Sequence, residues 1–160
     1  MVKLKEIKLR LLIMKKIKIV VMFLCVFLIS ACATSYKKAG SPTGTGYYDY
    51  LLQQGMYEIT FNGNSDTSIT TAQDYALLRA AETCIENGYQ TFDIINLKDN
   101  STTETGTFTN YYGRYYASTY VTSSIYPKIT LIIKCSKDDN LTFKAREIRD
   151  NLRNKYKLEK

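Results

Sequence analysis

Residues 56–88, which read MYEITFNGNSDTSITTAQDYALLRAAETCIENG, decide the fold of this chain. Apolar and polar side chains alternate over the first seven residues, which is the pattern of a half-buried β-strand. Polar residues typical of a turn follow, and apolar residues then recur at helical spacing until Asn87-Gly88, a common helix stop. We therefore predict a strand over 56–62 and a helix over 71–87.

The rest of the chain adds two more strands and a second helix. Residues 91–97 are rich in β-branched and aromatic side chains, and residues 128–135 are apolar enough to lie in the interior of a sheet. Residues 143–156 combine apolar side chains at helical spacing with a charged face. This order predicts an α+β fold, with a small, mostly antiparallel sheet and both helices on one face. An additional β-hairpin within 105–124 is compatible with its Thr and Tyr content.

Residues 1–31 are predicted to be a signal peptide, and Met14 is an alternative start because the signal is complete from there. A basic stretch precedes an apolar run, which ends in Ser30-Ala31-Cys32. A cysteine directly after small residues marks the lipoprotein type of signal, in which Cys32 is acylated and becomes the mature N-terminus. The apolar run is shorter than the roughly 20 residues that a membrane-spanning helix needs.

Acylated Cys32 would anchor the protein in a lipid bilayer of the cell envelope, since several acyl chains together bind lipid durably. Ala33 stands where an aspartate is the usual signal for retention in the inner membrane. Its presence favours the outer membrane, with the domain facing the periplasm. Residues 32–46 are rich in Ser, Thr and Gly and are predicted to be a flexible tether. Residues 47–160 are predicted to form one globular domain.

The charge of the chain is concentrated in the leader. The full sequence has 22 basic and 15 acidic residues, for a formal charge of +7. Residues 1–31 hold seven of the basic residues and one of the acidic ones, so the chain from Cys32 onward carries +1. A nearly neutral domain lacks the broad positive surface that phosphate backbones require. Nucleic-acid binding is therefore excluded.

The cysteines and the absence of histidine bear on redox and metal chemistry. Cys84 and Cys135 remain after processing and acylation, and two thiols in an oxidising compartment favour a disulfide. The alternative is two separately buried thiols that act as small apolar groups. The chain contains no histidine and no closely spaced cysteine pair. We predict neither a metal site nor a cofactor.

The same composition disfavours an enzyme. Without histidine, Ser-His and Cys-His catalysis are excluded in their usual form. Paired carboxylates could serve a glycosidase, and the candidates are Asp66, Asp74, Glu82, Glu86 and Asp93. Nothing in their spacing brings two of them together, so we predict no catalytic residues.

Arg79 has two interpretations. It lies among apolar residues of the predicted helix and could act as an anion clamp. Alternatively its stem lies along the helix and its guanidinium pairs with Glu82, Asp93 or a loop carbonyl, which is the interpretation we favour.

A tyrosine-rich segment is the main candidate binding surface. Its members are Tyr111, Tyr112, Arg114, Tyr115, Tyr116 and Tyr120. Tyrosine and arginine are enriched at the energetic centres of protein interfaces, and tyrosine rings also stack on sugars. The structural alternative is an edge hairpin whose tyrosines pack on the domain.

Several short motifs resemble a family of small, uncharacterised bacterial lipoproteins. They are Gly46-Tyr47, the strand 57–64 with Thr67, the helical segment 74–82, and Gly88-Tyr89 with Phe92. The resemblance covers about residues 46–97 together with the signal, and it implies no activity. We therefore expect a non-catalytic, lipid-anchored module that binds an envelope protein. The alternative is a glycan or small-molecule binder, with peptidoglycan as a candidate ligand, that uses residues 111–120.

Overall fold

The computed structural model describes Met14, Lys16 and residues 33–41, 44–112 and 116–158, with the backbone alone for residues 111, 112, 116 and 117. The chain divides into two units, Met1–Cys32 and Ala33–Lys160. The predicted signal peptide and lipidation site belong to the first unit. Apart from helical Met14 and Lys16, they lie outside the described residues. No helix among the described residues is long and apolar enough to cross a membrane.

The second unit is a small α+β fold, which confirms the predicted class. Its elements in chain order are β1 (Gly46–Gln53), β2 (Met56–Asn62), α1 (Ile69–Glu86), β3 (Thr91–Asp99), β4 (Thr102–Tyr112), β5 (Tyr116–Tyr126), β6 (Lys128–Ser136), β7 (Phe143–Lys144) and α2 (Ala145–Tyr156). Five strands form an antiparallel sheet in the order β1-β2-β6-β3-β7. Strands β4 and β5 pair only with each other, as a second, two-stranded sheet of the described chain.

The core lies between the five-stranded sheet and the two helices. Ile59 and Phe61 of β2, Ile129 and Ile133 of β6, and Phe92 of β3 are fully buried against the small side chains of α1. Burying an aliphatic or aromatic side chain of this size contributes about 1.5–3 kcal/mol. The alternation that predicted β2 therefore matches the fold, because Tyr57, Ile59 and Phe61 lie on the face of the sheet that the helices cover.

Helix α1 begins earlier than its sequence suggests. The Ser68 hydroxyl accepts a hydrogen bond from the Thr71 backbone N–H at 3.0 Å, so Ser68 is the N-cap. The helix therefore starts at Ile69, two residues before the predicted start at residue 71. Asp74, in the second turn, accepts hydrogen bonds from Lys155 and Tyr156 of α2 and connects the two helices.

A disulfide joins α1 to the central strand β6. The sulfurs of Cys84 and Cys135 are 2.02 Å apart and the Cα atoms 5.8 Å apart. Both residues are buried in the core. In the chain-entropy model a bridge across 51 residues stabilises the fold by about 4 kcal/mol, and less in many proteins.

The segment predicted to be a flexible tether is partly folded onto the domain. Thr34 is buried, and its N–H donates to Asn64 Oδ1 at 3.1 Å and to Thr67 Oγ1 at 3.0 Å. The Asn64 N–H in turn donates to the Thr34 hydroxyl at 2.8 Å. Composition alone missed this attachment, because its partners lie 30 or more residues further along the chain.

Strand β1, which we did not predict, completes that attachment. Lys38 forms a parallel bridge with Tyr47, in which Tyr47 N–H donates to the Lys37 carbonyl at 2.8 Å. Gly46 permits this approach, because its φ is +119° and a Cβ there would lie 2.4 Å from the Lys37 oxygen.

Candidate functional site

Strands β4 and β5 form an arm that prolongs the ladder between β3 and β6. Asp99 pairs with Ile129, the Asn100 N–H donates to the Lys128 carbonyl at 2.8 Å, and Thr102 pairs with Tyr126. The partners keep one register across the junction. Pro127 interrupts the ladder there because it has no N–H to donate. We call the five-stranded sheet and its two helices the body of the protein. The arm is therefore a direct continuation of two strands of the body, β3 and β6.

Both long edges of the arm lack a neighbouring strand among the described residues. Strand β2, which flanks β6 in the body, ends at Asn62 opposite Lys128. Beyond that point β4 and β5 form a sheet of two strands. Each strand has 11 residues, which at about 3.4 Å per residue makes an arm of roughly 35 Å.

The arm exposes aromatic and aliphatic side chains. Phe108 and Tyr120 are register partners whose rings stack with centroids 5.8 Å apart, and they are 53% and 47% exposed. Val121 and Ile125 are exposed as well. Since residues alternate faces along a strand, Val121 lies on the face opposite Tyr120. The arm thus presents apolar groups to the surroundings on both faces.

The predicted tyrosine surface is placed only in part by the structure. Tyr120 lies on β5. The backbones of Tyr111, Tyr112 and Tyr116 belong to the arm's strands, with Tyr112 paired to Tyr116. Arg114 and Tyr115 lie outside the described residues. Sequence reasoning missed Phe108, the ring partner of Tyr120, although the alternation around it in TGTFTNY is a strand signal.

A second feature is a charged cluster between the helices, β1 and the N-terminal segment. Arg79 donates through Nε to Asp49 at 2.9 Å and through both Nη atoms to the Glu86 carboxylate at 2.8 and 2.9 Å. Arg153 donates to Glu82 Oε1 at 2.6 and 3.0 Å, and the Tyr36 hydroxyl donates to the other Glu82 oxygen. These bonds connect four separate parts of the fold.

The electrostatics of this cluster are those of a satisfied network. Burial raises the pKa of the Tyr36 hydroxyl, and its hydrogen bond to Glu82 raises the pKa further, so the group stays a donor. Burial alone would lower the pKa of Arg79, but its hydrogen bonds to Glu86 and Asp49 outweigh burial and raise the pKa. The Arg79 guanidinium also lies 4.8 Å from the centroid of the Tyr47 ring, within the range of a cation–π contact.

The cluster supports the structural interpretation of Arg79 over an anion clamp. Its guanidinium is engaged by the Asp49 and Glu86 carboxylates, and Glu82 lies 3.8 Å away. The predicted partner Asp93 is wrong, because its carboxylate accepts from the Thr142 N–H.

An open groove of about 900 Å³ runs beside the cluster. Its lining includes Tyr36, Tyr47, Arg149 and Leu158. The tyrosines of this groove therefore come from outside the arm.

The candidate carboxylates do not assemble into a recognisable catalytic pair. Glu82 and Glu86 are bonded to arginines, Asp74 to α2, and Asp93 to the loop before β7. Among the described residues no group of three or more Cys, Asp or Glu side chains is arranged to hold a metal ion. The arm is thus a part of the described chain in which both strands lack a further neighbouring strand.

No protein-family model, curated protein or solved structure matches this chain significantly. The resemblance of residues 46–97 to a lipoprotein family accordingly stays a prediction, and function has to be argued from the geometry.

Proposed function

We propose that this protein is a lipid-anchored, non-catalytic envelope protein that binds a partner protein by strand addition at its arm. The lipoprotein type of signal that ends at Cys32 supports acylation of this cysteine. Ala33 supports a location in the outer membrane, with the domain facing the periplasm. The arm of β4 and β5 supplies the binding surface. A partner would add an extended segment along one of its edges, with main-chain hydrogen bonds holding it in register.

The observation that carries this proposal is the unprotected state of the arm's edges. Soluble proteins normally protect an edge strand with charges, proline, bulges or a covering element. In β4 and β5 the single charged residue is Glu104, and the nearest proline is Pro127 at the base. Long, exposed strands of high β-propensity with so few charges are templates for another strand.

The energetics point the same way. An isolated two-stranded ribbon is marginally stable in water, and three or more strands or a packed face are needed for independent stability. The described arm residues contribute almost no buried side chains to the core. A third strand would pair backbone groups along one edge and cover part of the exposed apolar surface. Binding would therefore stabilise a part of the fold that the body leaves weakly supported.

The absence of catalysis is supported by composition and by the cluster geometry. The chain lacks histidine, and the candidate carboxylates hold arginines or connect elements of the fold. Both arginines at the centre of the cluster are committed to acidic partners as well. A matched network of this kind stabilises tertiary structure, and Glu86 and Asp150, which line the groove, are paired with Arg79 and Arg149.

The test is an arm-shortened variant designed from the register. Replacing residues 104–124 with Asn-Gly joins Thr103 to Ile125, which are register partners, through a turn suited to a two-residue hairpin. The variant should keep the anchoring and unfolding behaviour of the intact protein. Chemical crosslinking in intact cells, followed by mass spectrometry, should capture a dominant protein partner with the intact chain and lose it with the variant.

The same experiment separates the alternatives. A smaller deletion of Tyr111–Tyr116 removes most of the predicted tyrosine surface and leaves most of both strand edges. If binding occurs by strand addition, this variant should still be crosslinked to the partner protein, at a reduced level. Complete loss with the small deletion would favour recognition by the tyrosines. Capture that persists in the arm-shortened variant would contradict the proposal. Binding of the purified protein to peptidoglycan, without a protein partner, would support the glycan alternative.

A further inference from the structure

We propose that the arm lies along the surface of the bilayer that holds the lipid anchor, with Phe108 and Tyr120 directed into the headgroup region. This inference rests on the acylation of Cys32 proposed above. It adds a lipid surface as a second partner. It also uses a face of the arm, whereas strand addition uses its edges.

The first step is that the anchor site is close to the folded domain. Thr34 is fixed to Asn64 and Thr67 by the three hydrogen bonds described above. Cys32 precedes Thr34 by two residues, and two residues span at most about 7 Å. The acyl chains therefore start within one short step of the loop that contains Asn64 and Thr67. The connection is too short to let the domain move far from the membrane.

The second step is that the arm leaves the domain at the same place. The Gly63 N–H donates to the Pro127 carbonyl at 2.8 Å, which joins the loop to the base of the arm. A Cβ added at Gly63 would lie 2.7 Å from side-chain atoms of both Pro127 and Thr67. Thr67 in turn holds Thr34. Thr34, two residues after the proposed anchor site, and Pro127 at the base of the arm thus both contact the loop 63–67.

The third step limits the direction of the arm. An arm of roughly 35 Å begins within a short distance of the headgroups. It cannot cross the hydrocarbon, because the backbone groups along both edges would lose water without gaining a partner. Lying along the interface keeps those edges hydrated. It also lets one face contact the lipid.

The side chains of the arm suit that position. Tyrosine and phenylalanine place an apolar ring at the level of the headgroups, and the tyrosine hydroxyl stays hydrated. Phe108 and Tyr120 form a stacked, exposed pair on one face. Glu104 is the one charged residue in the two strands, so little charge has to be moved toward the lipid.

Single tryptophan substitutions test the inference cleanly, because the chain contains no tryptophan. Phe108→Trp places the probe on the proposed lipid face, and Val121→Trp places it on the opposite face of the arm. Leu52→Trp is the control, since Leu52 is similarly exposed but lies at the other end of β1 from the anchor. Each variant would be expressed with its signal in a bacterial host, purified from the membranes and reconstituted into phosphatidylethanolamine–phosphatidylglycerol vesicles that contain a brominated lipid, and flotation would show whether it is bound.

The inference predicts a different emission for each of the three variants. The indole of Phe108→Trp should shift to shorter wavelength and lose most of its emission to the brominated lipid. The indole of Val121→Trp should lose less, and that of Leu52→Trp should be unchanged.

Three other outcomes would overturn the inference or part of it. Protein that floats with the vesicles while Phe108→Trp behaves like the Leu52→Trp control would overturn the inference and leave acylation intact. Stronger quenching in Val121→Trp than in Phe108→Trp would overturn the assigned face. Protein that does not float would overturn acylation, and the inference with it.

Discussion

The body and the arm of this protein are two halves of the same β-ladder with opposite surroundings. In the body, β6 lies between β2 and β3 and is covered by α1, and its Ile129 and Ile133 are fully buried, as is Phe92 near the start of β3. In the arm, the same two chain directions continue in register, and the described chain places no flanking strand or covering helix there. The difference shows that pairing alone defines a strand, whereas burial makes it contribute to stability. A strand that is paired but uncovered is available for binding.

The largest difference in stability between the body and the arm is expected when one phenylalanine is replaced in each. Phe61→Ala removes a fully buried ring and should lower the free energy of unfolding by about 3–5 kcal/mol. Phe108→Ala removes a half-exposed ring and should lower it by less than about 1 kcal/mol. Urea unfolding of the two variants measures both values. Equal losses would mean that the arm is part of the core.

The disulfide should stabilise the body alone. Replacing Cys84 and Cys135 together with alanine removes the bridge and should lower the free energy of unfolding by about 2–4 kcal/mol, because the unfolded chain regains its freedom. The arm-shortened variant provides the matched background, and the same loss is expected there. A clearly smaller loss in that background would show that the arm and the core are energetically coupled.

Two glycines extend the comparison to the backbone. Gly46→Ala forces a side chain into a positive-φ conformation and against the Lys37 carbonyl, so it should cost on the order of 1–3 kcal/mol. Gly106→Ala in the arm meets only the Phe108 ring and the Thr122 hydroxyl, at 3.2 Å and beyond, and should be nearly neutral. Thermal unfolding followed by circular dichroism distinguishes the two. A neutral Gly46→Ala would contradict the attachment of residues 33–41 to β1.

The smallest expected effect concerns two carboxylates of β3, Asp93 in the body and Asp99 at the base of the arm. Hydrogen bonds from Thr142 lower the pKa of Asp93 in the body, and hydrogen bonds from Ser101 lower the pKa of Asp99 at the base of the arm. Both pKa values lie below the ordinary 3.8. The stabilisation is therefore present above that pH and is lost as pH falls through the lower, folded-state pKa.

The two carboxylates should differ in what their protonation weakens. At low pH, Asp93→Asn should reduce the pH dependence of global unfolding slightly. Asp99→Asn should change only the local titration at the arm's base. Carboxyl chemical shifts and unfolding curves recorded from about pH 7 to about pH 2 measure both. A pKa above the ordinary value for either group would contradict these hydrogen bonds.

The parts of the fold that could be predicted from the sequence are those whose signal is local. Alternation identified β2 at 56–62 without error, and β3, β6 and both helices were placed to within two residues at each end. Strand β1 was missed because GYYDYLLQ carries tyrosine and leucine on both faces, so no period appears. Its place is set by pairing with β2, which only the folded chain reveals.

The same distinction between local and distant signals explains which parts of the candidate site could be predicted from the sequence. The hairpin and Tyr120 could be predicted because β-propensity is visible in the segment itself. Glu82 could be predicted as a partner of Arg79 from its helical spacing, whereas Asp49 could not, because it belongs to the strand that was missed. The folding of residues 33–39 was equally hidden, since Thr34 depends on side chains 30 or more residues away. A polar composition is compatible with a tether and with a segment held by specific hydrogen bonds.

Hydrogen exchange along the shared ladder tests the central claim most directly. In the purified protein, the amides of residues 129–135 should exchange slowly, and those of residues 118–126 rapidly, with the change in protection at Pro127. Such a step would show that the arm opens independently of the body and that no further element protects its edges, as strand addition requires. Uniformly slow exchange across Pro127 would show that the arm's edges are already covered in the isolated protein, and it would contradict the account.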